Sequence, residues 1–216
     1  MSILTKNQQL ILDKIAADET LCRHFYFSGG TALSEYYLQH RYSDDLDFFS
    51  PEKFESQAIF TKFSSWSGEY GFSFKPEFID PAYMIFCQFP EGELKIDFVY
   101  YPFLRLEKER KKDSELAVDS LLDIAVNKLF TLTQRTEIKD LVDLYYLLKE
   151  YSVWDLASGV KKKFKVEIDP LLIASDFLAV EDFDYLPKMI KPLKLLDLKT
   201  FYCDLAKKLS GSSVEK

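Results

Sequence analysis

The order of hydrophobic periodicities along this 216-residue chain predicts an α+β fold: a sheet with flanking helices, followed by a C-terminal helical bundle. Three observations carry the prediction. Phe25-Tyr26-Phe27-Ser28-Gly29-Gly30-Thr31 reads as strand, tight turn and helix start, because aromatic residues give way to glycines and Leu33, Tyr36, Tyr37 and Leu38 return near helical spacing. Three further extended segments, roughly 72–79, 83–89 and 94–100, are separated by Asp80-Pro81 and Pro90-Glu91-Gly92 and form a meander beside the first strands. A charged run from Glu107 to Asp113 then separates this sheet-bearing part, residues 1–106, from a helical part, residues 107–216.

Taken in order, residues 5–17 carry Leu10, Ile11 and Ile15 on a polar background and predict an amphipathic entry helix, with Ser2 or Thr5 as its cap. The stretch Arg41-Tyr42-Ser43-Asp44-Asp45-Leu46-Asp47-Phe48-Phe49 predicts a strand with Asp45 and Asp47 on one side and Leu46 and Phe48 on the other. After Pro51, the positions Phe54, Ile59, Phe60, Phe63 and Trp66 predict a helix closed near Gly68 or Gly71. In the last extended segment Leu94, Ile96, Phe98 and Tyr100 alternate with Lys95, Asp97, Val99 and Tyr101, so Asp97 faces away from the apolar set. From Ala117 to Leu132 one apolar arc includes Val118 and Leu121, with Lys128 at its flank. From Glu137 to Tyr151 another arc runs through Leu141, Leu144 and Leu147, with Asp140 at its edge and Asp143 one position further round. Trp154, Leu156, Val160 and Phe164 predict a helix whose basic end, Lys161-Lys162-Lys163-Phe164-Lys165, reads as solvated. Asp169-Pro170, Pro187 and Pro192 punctuate short helices before a last amphipathic one through Leu195, Leu198, Phe201, Leu205 and Leu209, and Ser210-Gly211-Ser212-Ser213 is expected to fray.

Two carboxylates sharing a strand face repel, which favours a bound divalent cation or a raised pKa in one of them. Hard oxygen ligands suit Mg²⁺, which takes one or two carboxylates together with phosphate oxygens and water. Gly29-Gly30-Thr31 supplies the complementary half: a close-approaching backbone and a helix N-terminus that favour an anion. Asp97 is either a third carboxylate for such a site or an ordinary solvent-side residue. Lys128 either snorkels or reaches a cleft, and a carboxylate as near an apolar face as Asp140 needs a partner, for which Lys128 on the preceding helix is suited.

The pattern Gly-Gly-Thr, short helix, Arg-x-Ser-x-Asp-Leu-Asp-Phe-Phe resembles the nucleotidyltransferases of the DNA polymerase β superfamily, and within it the AbiEii-like toxin branch. The resemblance resumes at Asp123-Ile-Ala-Val-Asn-Lys128-Leu and Lys139-Asp140-Leu-Val-Asp143-Leu-Tyr145. It implies a polymerase β-like sheet whose cleft the helical part completes. It also implies transfer of a nucleoside monophosphate from a nucleoside triphosphate to an acceptor, with Ser28, Gly29, Gly30, Thr31, Arg41, Ser43 and Lys128 around the nucleotide. Asp45, Asp47 and Asp97 would hold Mg²⁺ or Mn²⁺, and Asp140 would orient Lys128 or act as base. A toxin role, an acceptor that is tRNA or protein, and a cognate antitoxin follow from the resemblance alone. A small-molecule acceptor such as an antibiotic hydroxyl, or a non-catalytic nucleotide-binding role, are the alternatives.

Composition narrows the field. With 47% hydrophobic and 16% aromatic residues the chain is not disordered, and a net charge of −7 opposes broad electrostatic binding of nucleic acid. Cys22, Cys87 and Cys203 are widely spaced, which points to free thiols in a reducing compartment, and the absence of a long apolar run predicts a soluble, cytoplasmic protein with no membrane association. There is no Walker-type or Gly-x-Gly-x-x-Gly loop, and His24 and His40 lack metal or triad spacing, so both read as structural.

Overall fold

The computed structural model describes residues 2–107 and 116–214, so most of the predicted charged seam, Lys108 to Asp113, lies outside the described residues. The chain divides into two compact units. One comprises Met1–Tyr37, Ser43–Phe103 and Lys108–Ser120; the other comprises Leu38–Tyr42, Leu104–Glu107 and Leu121–Lys216.

The first unit is organised on a sheet of β1 (Tyr26–Ser28), β2 (Leu46–Ser50), β3 (Ser73–Ile79), β4 (Ala82–Phe89), β5 (Gly92–Tyr100) and β6 (Ala117–Val118), in the spatial order β3-β4-β5-β2-β1-β6. β2 pairs with β5 and β1 with β6 in parallel, and the other neighbours are antiparallel. Alternation sets the faces: Leu46, Phe48, Leu94, Ile96 and Phe98 are buried, while Asp47, Lys95 and Asp97 are half-buried. Behind the sheet the ring of Phe98 stacks on Phe48 at 5.3 Å and meets Phe25 edge-on at 5.0 Å. Helix α4 (Ser56–Tyr70) adds Ile59 and Phe63 to this core and ends on Gly71, whose left-handed φ of 71° closes the last turn.

Entry helix α1 (Lys6–Ala16) is closed by a capping box: the Thr5 hydroxyl accepts from the Gln8 amide while the Gln8 side chain accepts from the Thr5 N–H. Thr5 rather than Ser2 is therefore the cap. Gln8, 2% exposed, also donates to the carbonyls of Ser43 (2.7 Å) and Asp44 (3.0 Å), which fixes the residues leading into β2. Helix α2 (Glu19–His24), too short to show a period in sequence, is capped by Asp18. Helix α3 (Gly29–Leu33) passes directly into a π-helical turn, Ser34–Leu38. The apolar arc expected to start at Ala117 is interrupted. Ala117 and Val118 form β6 against Tyr26 and Phe27, because two apolar residues serve a strand as well as a helix and the β1 edge satisfies their backbone groups.

The second unit contains α5 (Leu121–Leu132), α6 (Ile138–Leu147), α7 (Val153–Phe164), α8 (Pro170–Leu178), a 3₁₀ turn (Ala179–Asp182) and α9 (Leu195–Val214). Phe130 on α5 stacks on Phe164 of α7 at 4.0 Å, and Phe177 of α8 packs on the fully buried Tyr202 of α9. Asp169 caps α8 with Pro170 in its first turn. One basic residue departs from expectation: Lys163 is buried, its ammonium 2.6 Å from Asp123, whose oxygens also accept from the backbone N–H groups of Leu106 and Glu107. The basic end of α7 is thus not wholly solvated. Nor does the chain leave its helix at Ser210, whose hydroxyl donates back to the Ala206 carbonyl at 2.8 Å while α9 continues to Val214.

Truncating Phe98 to alanine should cost about 3–5 kcal/mol of stability, because its ring fills a fully buried position among three other aromatics. Urea denaturation with an unchanged slope and a lower midpoint would show it.

Candidate active site

Register across the sheet builds the site. Ser28 pairs with Asp47, Asp47 with Asp97, and Asp97 with Met84, so one lateral row crosses β1, β2, β5 and β4. Paired residues share a face, and the two carboxylates therefore stand side by side. Asp45 immediately precedes β2 and is half-buried. Asp97 is 15% exposed; its Oδ2 accepts from the Lys95 ammonium at 2.5 Å, while its Oδ1 is buried without a hydrogen-bond partner. Burial lowers the Lys95 amine's pKa, but the bond to Asp97 and the negative charges of Asp97, Asp45 and Asp47 outweigh it and hold that pKa above its ordinary value.

The diglycine turn is fitted against this row. Gly29 has φ 75°, and a Cβ at this position would lie 2.0 Å from Asp47 Oδ2. Only glycine permits both the conformation and the approach. The Thr31 hydroxyl donates to the Asp45 carbonyl, tying α3 to the start of β2. The Ser28 hydroxyl donates to the buried carboxylate of Asp119 at 2.9 Å and makes no cap bond to α3. Asp119, directly after β6, also accepts from Tyr37 Oη through its carbonyl at 2.7 Å. Gly30 is half-buried, as is Ser43, whose carbonyl takes the Gln8 bond.

Among the described residues, no three His, Cys, Asp or Glu side chains are grouped to hold a metal ion. The expected trio of Asp45, Asp47 and Asp97 is thus not a ready-made cage, and Lys95 occupies one oxygen of Asp97. The donors nevertheless suit a hard cation such as Mg²⁺. Two adjacent carboxylates, one with a buried unused oxygen, match an ion that completes its shell with phosphate and water.

The second unit holds the remaining predicted residues in a buried charge cluster. Arg41, 3% exposed, forks onto Asp143 through Nε at 2.6 Å and Nη2 at 2.8 Å. The His40 ring meets the same carboxylate at 2.7 Å. Lys128 bridges Asp140 Oδ1 (2.7 Å) and Asp143 Oδ2 (2.6 Å), and both aspartates are fully buried. The expected Lys128–Asp140 pairing is present, with Asp143 as a second partner, and the ammonium does not snorkel into water. Arg41, expected beside phosphates, is instead committed to Asp143, because a buried guanidinium takes the carboxylate that matches its fork. Burial works against ionised Asp143, yet Lys128, Arg41 and His40 hold its carboxyl well below the usual range. Burial likewise lowers the Lys128 amine, but Asp143 and Asp140 raise it further. Burial dominates at His40 and, with help from Arg41 and Lys128, keeps the ring neutral against the pull of Asp143.

Lys95, Asp119, His40 and the hub role of Asp143 were not read from the sequence as site features. For Lys95 a signal exists, since it stands two residues before Asp97 and so shares its face. For Asp119 there is none: the apparent helical arc covers it.

A family model described as nucleotidyl transferase AbiEii toxin, type IV TA system, matches residues 10–199. The chain is 33% identical over 189 residues, 84% of its length and 85% of the relative's, to an uncharacterized protein of Aquifex aeolicus (strain VF5). Its fold is similar to that of JHP933 from Helicobacter pylori, with a TM-score of 0.54 and 24% identity, covering 98% of this chain and 97% of the other. It is also similar to MenT4, a nucleotidyltransferase toxin from Mycobacterium tuberculosis H37Rv, with a TM-score of 0.61 and 16% identity over 93% and 82% of the two chains.

Gly29→Ala should lower stability by roughly 1–3 kcal/mol, combining left-handed strain with the Asp47 clash, and thermal melting reads it directly. The buried cluster sets a pH window. His40, depressed in the folded state, contributes stability above its ordinary value of 6.5 that is lost as pH falls below it; Lys128, raised, contributes stability below 10.5 that is lost as pH rises through its higher folded value. The contribution of His40 and Lys128 should therefore be flat between these limits, and His40→Gln should remove the loss that begins below 6.5 in pH-resolved melts.

Proposed function

We propose that this chain, which belongs to the AbiEii nucleotidyltransferase toxin family, moves a nucleoside monophosphate from a nucleoside triphosphate to an acceptor hydroxyl on tRNA or on a protein. Family membership makes the chain a nucleotidyltransferase of the toxin–antitoxin kind, and an antitoxin partner is implied with it. The observation that carries the finer reading is the in-register pair Asp47 and Asp97, set against a glycine that touches Asp47.

In this reading the acceptor oxygen attacks the α-phosphorus, the bond to the bridging oxygen breaks, and pyrophosphate leaves. A divalent ion, when bound, supplies charge neutralisation for the triphosphate. Asp47 and Asp97, with Asp45 beside them, are the residues that would hold it. The Gly29-Gly30-Thr31 backbone accommodates phosphate oxygens, since Ser28 leaves the first α3 N–H groups uncapped by its side chain, and the resemblance adds Ser43 to the nucleotide's contacts. The resemblance assigns Lys128 to the nucleotide as well, and its ammonium is held by Asp140 and Asp143. Arg41, given to the nucleotide set by the resemblance, is bonded to Asp143 and so acts as a positioning residue for the carboxylate that holds Lys128. The rate gain comes from positioning and electrostatics, without covalent catalysis.

The test is incubation with each α-labelled nucleoside triphosphate, Mg²⁺ or Mn²⁺, and purified tRNA or protein. Label should pass to one acceptor class from a preferred nucleotide. Label passing only to a small-molecule hydroxyl would replace the acceptor, and no transfer with any nucleotide would overturn the reading. Asp47→Asn should reduce transfer by roughly two orders of magnitude or more while the protein stays folded, because it removes a charge-bearing ligand and relieves repulsion. Circular dichroism alongside the transfer assay separates the two effects.

A further inference from the structure

We infer that Lys95 is a resident counter-cation of the carboxylate row, one that a divalent ion must displace before it can take Asp97. The inference rests on the nucleotidyltransferase reading above and deepens it.

Lys95 lies two residues before Asp97 on β5, hence on the same face, and its ammonium is bonded to Asp97 Oδ2 at 2.5 Å. Stepping the β2–β5 register back by one from the Leu46–Ile96 pair brings Asp45 alongside Lys95, so the ammonium stands among all three acidic residues, whose charges it feels. The other oxygen of Asp97 is buried and has no partner. A cation drawn to that oxygen would find a second cation bonded to the same carboxylate, and repulsion between the two favours departure of the ammonium. Lys95 is equipped to leave, because its side chain is 31% exposed and a four-carbon stem allows the ammonium to swing into water.

Two properties follow. In the ligand-free protein the lysine relieves the repulsion that three carboxylates would otherwise impose on adjoining strands. Metal affinity is correspondingly held down until a triphosphate arrives, whose negative charge gives the displaced ammonium a new partner. Lys95 thereby couples metal binding to nucleotide binding, which a purely structural ion pair would not do.

Mn²⁺ binding, followed by electron paramagnetic resonance of the free ion, tests this on the full chain together with melting curves with and without Mn²⁺. Lys95→Met should bind Mn²⁺ about tenfold more tightly than the unaltered protein, the scale expected for removing one partly screened competing charge. Without metal Lys95→Met should melt at a lower temperature, and Mn²⁺ should close the gap. Lys95→Arg, which keeps the charge, should behave as the unaltered protein does. Equal or weaker Mn²⁺ binding by Lys95→Met, in the face of measurable binding by the unaltered protein, overturns the inference and leaves the proposed function standing. No Mn²⁺ binding by any form, even with a non-hydrolysable nucleoside triphosphate present, overturns both. Lys95→Gln repeats the measurement if Lys95→Met fails to fold.

Discussion

Repulsion between like charges held one strand spacing apart, about 4.8 Å, is the constraint around which the sheet unit is arranged. Asp47 and Asp97 cannot avoid each other, because the residues on either side of them belong to the core: Leu46, Phe48, Ile96 and Phe98 are all fully buried. A one-residue slip of β2 against β5 would exchange those apolar side chains for carboxylates at the aromatic layer, a far larger penalty than the repulsion itself. The hydrophobic core thus enforces an electrostatically unfavourable row, and a nearby lysine offsets part of the cost. Gly29, whose backbone abuts Asp47, then has no alternative residue, so the fold's packing and the site's chemistry depend on the same few positions.

The helical unit handles charge differently. Arg41 and Lys128 balance Asp140 and Asp143, with His40 neutral, so a cluster with almost no solvent access carries little net charge. Desolvating four ionised groups is expensive, and packed apolar side chains would serve stability as well or better. What the cluster provides is a fixed ammonium: Lys128 is held by two carboxylates whose own orientation is set by a bidentate guanidinium and a ring nitrogen. Removing Asp143 would take from Arg41 its forked carboxylate and leave Lys128 to Asp140, which makes Asp143 the hinge of the arrangement even though nothing in its spacing marks it apart from Asp140.

Much of this was legible in the sequence wherever a period and a punctuating residue coincided. Alternation in 94–100 placed Asp97 opposite its apolar neighbours, Gly71 closed α4, and the Lys128–Asp140 pairing followed from the intolerance of an apolar face for a lone carboxylate. What escaped was decided by tertiary partners. Ala117 and Val118 fit a helical arc by hydrophobicity, but the exposed edge of β1 claims them. Arg41 sits in a motif suggestive of phosphate contact, yet a buried aspartate about a hundred residues away supplies a better-matched anion. Lys163 belongs to a run that looks solvated, and only the fold reveals Asp123 waiting for it.

That last substitution of partners bears on what an acidic chain can do with an acidic acceptor. The basic end of α7 is the one stretch where lysines cluster around an aromatic in the sequence, but Lys163 is spent on Asp123 and Lys161 lies 3.1 Å from Glu167. With a net charge of −7, no broad positive field is at hand to recruit RNA by counterion release. If RNA is the acceptor, discrimination must come from shape and from a few local contacts at the reacting end, and affinity must owe little to the phosphate backbone. Lys95 and Lys128, the lysines of the proposed site, are each held on carboxylates of the chain itself, and they become available to a nucleotide or a metal only through exchange of partners.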